Sequence, residues 1–120
     1  MLVESQGPTW LYATASEHAV FYQFNFDYAV NIFAGLLQTE SPYFQPSPRP
    51  PAPFDLAVGI FDSDPAYACG DDFDGCDSSW AIILTSCSDI YVAAAGVYSW
   101  FSDYTQQCSM SPSLPGLLVL

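Results

Sequence analysis

Asn31-Ile32-Phe33-Ala34-Gly35-Leu36-Leu37 decides how this chain is read, because Asp89-Ile90-Tyr91-Val92-Ala93-Ala94-Ala95-Gly96-Val97 repeats its plan. Each segment opens on Asn or Asp beside an aliphatic residue. Each then runs through small residues and a glycine and closes on further apolar residues. Short strands separated by small-residue turns, in units of about twenty-odd residues, suggest a β-solenoid. A β-sandwich built of hairpins is the alternative. Against it, no Asn-Gly or Asp-Gly turn joins two adjacent alternating runs, which is the strongest short-range hairpin signal.

Working outward, Thr9–Ala13 is a short aromatic strand candidate. Ala19–Phe26 alternates, with Val20, Tyr22, Phe24 and Phe26 on one face and Gln23 and Asn25 on the other. Asp27-Tyr28 reads as a turn. Val30–Leu37 is a third strand with Gly35 inside it. Trp80–Thr85, Ile90–Ala94 and Val97–Phe101 are strand candidates in the second half. Between the halves, residues 41–65 form a loop. Its prolines at 42, 46, 48, 50, 51 and 53 cannot donate to a ladder, so Ser47–Pro53 is expected to be extended and exposed. No stretch carries a sustained helical period with caps.

Composition narrows the function. The chain has 120 residues, room for one domain or a piece of one, and its 51% hydrophobic content is too high for a disordered chain. Thirteen acids face a single base, Arg49, for a net charge of −12. That surface repels phosphate, which excludes nucleic acid and disfavours anionic membranes. With no Lys, a phosphate-clamping P-loop is also excluded. A neutral or cationic partner remains. Carbohydrate fits, since the 17% aromatic content supplies flat apolar faces and the carboxylates supply acceptors.

The four cysteines are Cys69, Cys76, Cys87 and Cys108. Cys69 and Cys76 bracket a turn-rich loop and are expected to form a local disulfide in an oxidising compartment. A Cys87–Cys108 bridge is less favoured. With no C-x-x-C and a lone His18 far from every cysteine in sequence, no metal site and no cofactor are expected. The acidic loop Asp71–Asp77 lacks the EF-hand spacing and its terminal Glu, so it reads as a solvated loop rather than a calcium site. Met1-Leu2-Val3 runs into Glu4 with neither a basic nor an apolar leader segment, and no apolar run is long enough to span a bilayer.

Four motifs carry a resemblance. They are Trp10-Leu11-Tyr12-Ala13-Thr14-Ala15-Ser16-Glu17-His18, Phe21-Tyr22-Gln23-Phe24, Gln38-Thr39-Glu40-Ser41-Pro42-Tyr43-Phe44-Gln45-Pro46, and Gly96-Val97-Tyr98-Ser99-Trp100-Phe101-Ser102-Asp103-Tyr104. Together they resemble fungal glycoside hydrolases of family 55, which are exo-acting β-1,3-glucanases. The resemblance runs from about Leu2 to Cys108. It implies an all-β fold, a right-handed parallel β-helix of the pectin-lyase-like kind. That β-helix would be incomplete, because family members carry two in tandem and this chain matches part of the second. Residues 1–108 are therefore expected to be a partial C-terminal β-helix domain with the proline-rich loop 41–65, and residues 109–120 a divergent tail. An extracellular location is implied, although the chain shows no signal peptide, so it reads as a fragment or a gene-model product. The exposed ends of such a solenoid are expected to associate with another chain.

The resemblance also assigns roles. Glu40 matches the general acid, Glu17 the carboxylate that tunes it, and Tyr43 an active-site tyrosine. The spacing agrees, since Glu17 and Glu40 are 23 residues apart, about one solenoid coil. Stacked coils lie about 4.8 Å apart, so the two carboxylates should be neighbours on one edge. Two carboxylates that close resist ionising together, which suits a group that must hold a proton to protonate a glycosidic oxygen. The partner implied is β-1,3-glucan or a related polysaccharide. The family inverts, which needs a water site about 6.5–9.5 Å from the acid. A pair one coil apart is too close to supply both halves. The chain alone is therefore expected to have little or no activity; a non-catalytic glucan-binding or structural module is the alternative. Trp10 and Trp100 are candidates for stacking on sugar rings. His18, next to Glu17 in a strand, is expected to point to the opposite face as a structural residue.

Overall fold

The computed structural model describes residues 1–68, 78–101 and 103–106. Nine short strands follow one another: β1 (Leu2–Val3), β2 (Thr9–Leu11), β3 (Thr14–Glu17), β4 (Tyr22–Asp27), β5 (Val30–Ala34), β6 (Leu37–Glu40), β7 (Trp80–Thr85), β8 (Ser88–Val92) and β9 (Ala95–Tyr98). Among the described residues, one 3-10 turn, Asp55–Ala57, lies between β6 and β7. All pairings are parallel, and they make three sheets ordered β1-β4-β7, β2-β5-β8 and β3-β6-β9.

This corrects the expected architecture. The all-β class holds, but the strands form three short three-stranded parallel sheets and no closed solenoid; the right-handed parallel β-helix is not what this chain builds. The physical reason is length and interruption. Strands of two to six residues make small patches of ladder. The segment from Ser41 to Ser79 separates the second set of strands from the third, so no constant repeat length is maintained. The outermost strands are β1, β2 and β3 on one side and β7, β8 and β9 on the other.

The sequence similarity between the two opening segments has a local cause. Asn31 and Asp89 both take left-handed backbone, with φ of 59° and 55°. They occupy equivalent places, because Val30 pairs with Ser88 and Ile32 with Ile90. Asn and Asp are among the few non-glycine residues that tolerate this region. Gly35 does not sit inside a strand as expected. It separates β5 from β6, and the Tyr12 ring comes within 3.2 Å of where a Cβ would be.

Alternate residues of the strands point inward. Phe24 and Phe26 of β4, Ile32 and Ala34 of β5, and Leu37 of β6 form the buried core together with Ala29. Each large side chain contributes about 1.5–3 kcal/mol by leaving water. The other face of β4 is buried as well, because the long connection folds back across it. Gln23 donates to the Ala19 carbonyl at 2.8 Å and to Ser79 Oγ at 3.1 Å, and Asn25 donates to the Ser63 carbonyl at 2.9 Å. The proline-rich loop is also more compact than expected. Successive turns close through Ala52 N–H to Arg49 O at 3.1 Å and Phe54 N–H to Pro51 O at 2.8 Å, and Pro50 is buried. Proline lacks the N–H but keeps its carbonyl, so Pro51 still serves as a turn acceptor.

Two tyrosines pin this connection. Tyr67 Oη donates to the Phe21 carbonyl at 2.6 Å, and Tyr22 Oη donates to Asp64 at 3.4 Å. Burial, followed by the Asp64 charge, holds both phenols above their ordinary value of 10.0. The folded state thus keeps these protons more tightly than the unfolded chain. The resulting stability is fully present below pH 10 and is lost as pH rises toward the raised folded values. Thermal melts should therefore hold steady from neutral pH to about pH 9 and fall above about pH 10. The double variant Tyr22→Phe/Tyr67→Phe should be about 1–3 kcal/mol less stable at pH 7, having lost two hydrogen bonds, with a flatter alkaline limb. An alkaline limb as steep as that of the native chain would contradict the assignment.

Candidate functional site

The β3-β6-β9 sheet carries the candidate residues. Its register pairs Ala15 with Gln38 and Gln38 with Gly96, and pairs Glu17 with Glu40 and Glu40 with Tyr98. In parallel strands, directly paired residues point to the same face. Leu37 and Thr39 are buried beneath, so Gln38 and Glu40 belong to the outer face. Glu17, Glu40 and Tyr98 therefore form one column across the sheet, with Ala15, Gln38 and Gly96 in the column beside it. Glu17 and Glu40 are neighbours, as their spacing requires.

Polar side chains flank the two carboxylates. Gln38 Nε2 donates to Glu17 Oε1 at 2.7 Å. His18 Nε2 lies 3.6 Å from Glu40 Oε2, in a pair whose side chains are 27% and 21% exposed. The expected orientation of His18 is corrected here. Glu17 ends β3, and His18 takes left-handed backbone with φ of 60°, so strand alternation stops and its ring turns back toward the acids. The His18 N–H donates to the Glu40 carbonyl at 2.9 Å, and Nδ1 lies 3.0 Å from the Ser41 carbonyl. A carbonyl only accepts, so Nδ1 carries a proton and Nε2 is the atom that meets Glu40.

Tyr43 lies against this group. Its ring stacks on His18 with centroids 4.0 Å apart and meets Phe101 edge-on at 4.6 Å. Trp100 stacks on Tyr98 at 5.4 Å. Trp10 belongs to a different sheet, where it pairs with Phe33, which in turn pairs with Tyr91. The structure thus brings together Glu17, Glu40 and Tyr43, places Trp100 on the same sheet's continuation, and sets Trp10 on the neighbouring sheet. Three contributors escape a reading from sequence: His18, Gln38 and Tyr98. Gln38 was legible in principle, since it falls on the face of Glu40 by period-two counting, whereas Tyr98 joins that face only through the register of β6 with β9. Cys69 and Cys76, the Asp71–Asp77 loop and Cys108 lie outside the described residues. Cys87 carries a free thiol that points at the Phe26 carbonyl at 3.2 Å.

One ligand atom each from Glu17, His18 and Glu40 lies within 4.8 Å of the others. One nitrogen and two carboxylate oxygens at that spacing are a donor set that could hold a borderline divalent cation, a capacity that the lone-histidine reading of the sequence misses. The same closeness constrains the chemistry. The carboxylates sit side by side on one face, nearer than the about 6.5–9.5 Å that an acid and a base need to flank a sugar and a water.

No family model matches the chain. It is similar over 93 residues, at 48% identity, to a protein of Penicillium expansum named non-secreted LysM effector LysM15, a match that covers 77% of this chain and 6% of the relative. It is 35% identical over 113 residues to a probable glucan endo-1,3-beta-glucosidase of Arthroderma benhamiae, covering 93% of this chain and 12% of that one. It is 38% identical over 106 residues to a glucan 1,3-beta-glucosidase of Cochliobolus carbonum, covering 88% and 12%. The chain thus spans a small part of the length of each of these relatives. Relatives named for hydrolysis of 1,3-β-glucan cover most of it, which supports a glucanase-related origin. The Penicillium name runs against the extracellular location implied by the sequence resemblance.

Long-range proton–nitrogen NMR of His18 checks the geometry. The neutral ring should carry its proton on Nδ1, because the Ser41 carbonyl holds it there. A neutral ring protonated on Nε2 would contradict the placement of His18 between Ser41 and Glu40.

Proposed function

We propose that this chain is the acid-bearing segment of a hydrolase of β-1,3-glucan. Glu40 is the general acid that protonates the glycosidic oxygen, and Glu17 is the carboxylate beside it that tunes its proton affinity. The pairing of Glu17 with Glu40 on one exposed sheet face carries this reading. His18, hydrogen-bonded behind and paired in front, fixes the rotamer of Glu40, and Tyr43 walls the side of the site. The relatives named as glucan glucosidases support the substrate class.

The reaction inverts the anomeric centre. Protonation of the leaving oxygen is one half, and delivery of water to the opposite face of the sugar is the other. Glu17 and Glu40 lie on the same face and close together, so the water-side group comes from elsewhere in the longer architecture of the relatives. On its own this chain binds glucan and turns it over little or not at all. A second reading, a glucan-binding module without catalysis, draws on the relative named as an effector rather than a hydrolase.

Recombinant chain incubated with laminarin should release no reducing sugar above background, while sedimenting with insoluble β-1,3-glucan. Turnover that Glu40→Gln abolishes would show that the chain is catalytically complete and would overturn the inactivity. Failure to sediment would remove the glucan reading altogether.

A further inference from the structure

We infer that Tyr98 and Trp100, laid flat by the absence of a side chain at Gly96, form the platform on which a β-glucan ring rests beside Glu40. This rests on the reading of Glu40 as a glycosidic acid and adds to it the position of a sugar subsite. Tyr98 is the register partner of Glu40, so its backbone lies one strand spacing, about 4.8 Å, from that of the acid and its side chain emerges on the same face. The alignment is locked on both sides of the pair. Ser41 N–H donates to the Tyr98 carbonyl at 3.1 Å, and the Ser41 and Ser99 hydroxyls meet at 3.1 Å.

The rings overlap like tiles. A Cβ at Gly96 would lie 2.9, 3.0 and 3.1 Å from three atoms of the Tyr98 phenol, so Tyr98 leans into the space that glycine leaves. Trp100 then lies over Tyr98, with centroids 5.4 Å apart and planes 16° from parallel. Both remain partly open to solvent, Tyr98 at 42% and Trp100 at 46%. Two overlapped rings that stay exposed beside a carboxylic acid match a pyranose, whose axial CH groups face a π-surface while its hydroxyls reach carboxylates and amides. Polar partners are in place, since Glu40 stands beside Tyr98 in register and Gln38 beside Gly96. A neutral sugar also escapes the repulsion that a net charge of −12 imposes on an anionic ligand.

Titration of the chain with laminarihexaose, by calorimetry or by tryptophan fluorescence, tests the platform. Tyr98→Ala and Trp100→Ala should each weaken binding about tenfold, a loss typical of one aromatic contact. Gly96→Ala is the more discriminating variant. Gly96 has no left-handed φ, so alanine is tolerated by the backbone, and the displaced atoms belong to the end of an exposed side chain. It should leave the melting temperature nearly unchanged and weaken binding severalfold by tipping Tyr98 out of line. Tyr28→Ala, which removes an exposed aromatic at the β4–β5 corner, serves as control and should bind as the native chain does. If the native chain binds but Tyr98→Ala and Gly96→Ala bind equally well, the platform is wrong and the acid assignment stands. If the native chain binds neither laminarihexaose nor insoluble glucan, the glucan reading itself fails and the subsite with it.

Discussion

The parallel register of β3, β6 and β9 is the constraint on which everything else in this molecule depends. It sets Glu17 against Glu40 and Glu40 against Tyr98. The side chains beneath the site hold it more firmly than those within it. Leu37 and Thr39 are buried on the inner face, and slipping β6 by one residue would turn them outward and Gln38 and Glu40 inward. Burial of a carboxylate without full pairing costs several kcal/mol, so the slipped arrangement is strongly disfavoured. The hydrogen bonds continue past the strand ends, through His18 N–H to Glu40 O and Ser41 N–H to Tyr98 O. Those bonds carry the order of the ladder into the candidate site.

His18 shows how a strand end can add a residue that alternation would exclude. Within β3 the residue after Glu17 would face the core. A left-handed φ at that point reverses the direction, and the ring returns to the outer face between the Ser41 carbonyl and Glu40. Left-handed backbone at a non-glycine residue costs energy of order 1–2 kcal/mol. Here the stack on Tyr43, the hydrogen bond to Ser41 and the pairing with Glu40 offset it together. The same device recurs at Asn31 and Asp89, where the side chain tolerates the conformation, and there it serves the turn of the chain rather than a site.

Much of this was legible in the sequence, and the failures are instructive. The apolar strands Tyr22–Asp27 and Val30–Ala34 were visible from composition and alternation because they bury large side chains in the core, and Trp80–Thr85 because it packs Ile82 against them. The neighbouring of Glu17 and Glu40 followed from their spacing once a stack of parallel strands was assumed. The closed solenoid did not form, since a repeat inferred from two similar segments says nothing of the long connection between them. Strands such as Thr14–Glu17 were missed because Thr, Ala, Ser and Glu carry no apolar period, and that strand exists through its neighbour's ladder rather than its own preference. The proline-rich segment is not extended, because its carbonyls accept turn hydrogen bonds although its prolines cannot donate; Ser47, Pro48, Arg49 and Pro53 stay exposed as expected. Asn25 on β4 finds its acceptor at Ser63 of the same connection.

The site is lopsided, and that lopsidedness follows from the sheets. A parallel strand stack presents one flat face, and every group attached to it approaches a ligand from the same side. On the proposed reading, Glu17, Glu40, Gln38 and the Tyr98–Trp100 pair would all meet a sugar from that one side. None of them can reach around the ring to its far face, where an inverting reaction brings in water. Moving Glu17 and Glu40 apart would not solve this, because two positions on one flat face never enclose a substrate. A complete reaction needs a second wall opposite the first. The chain covers a small share of the length of its relatives, which leaves room for one. On the proposed reading, holding and protonating a glucan would need this one face, whereas cleaving it would need two surfaces.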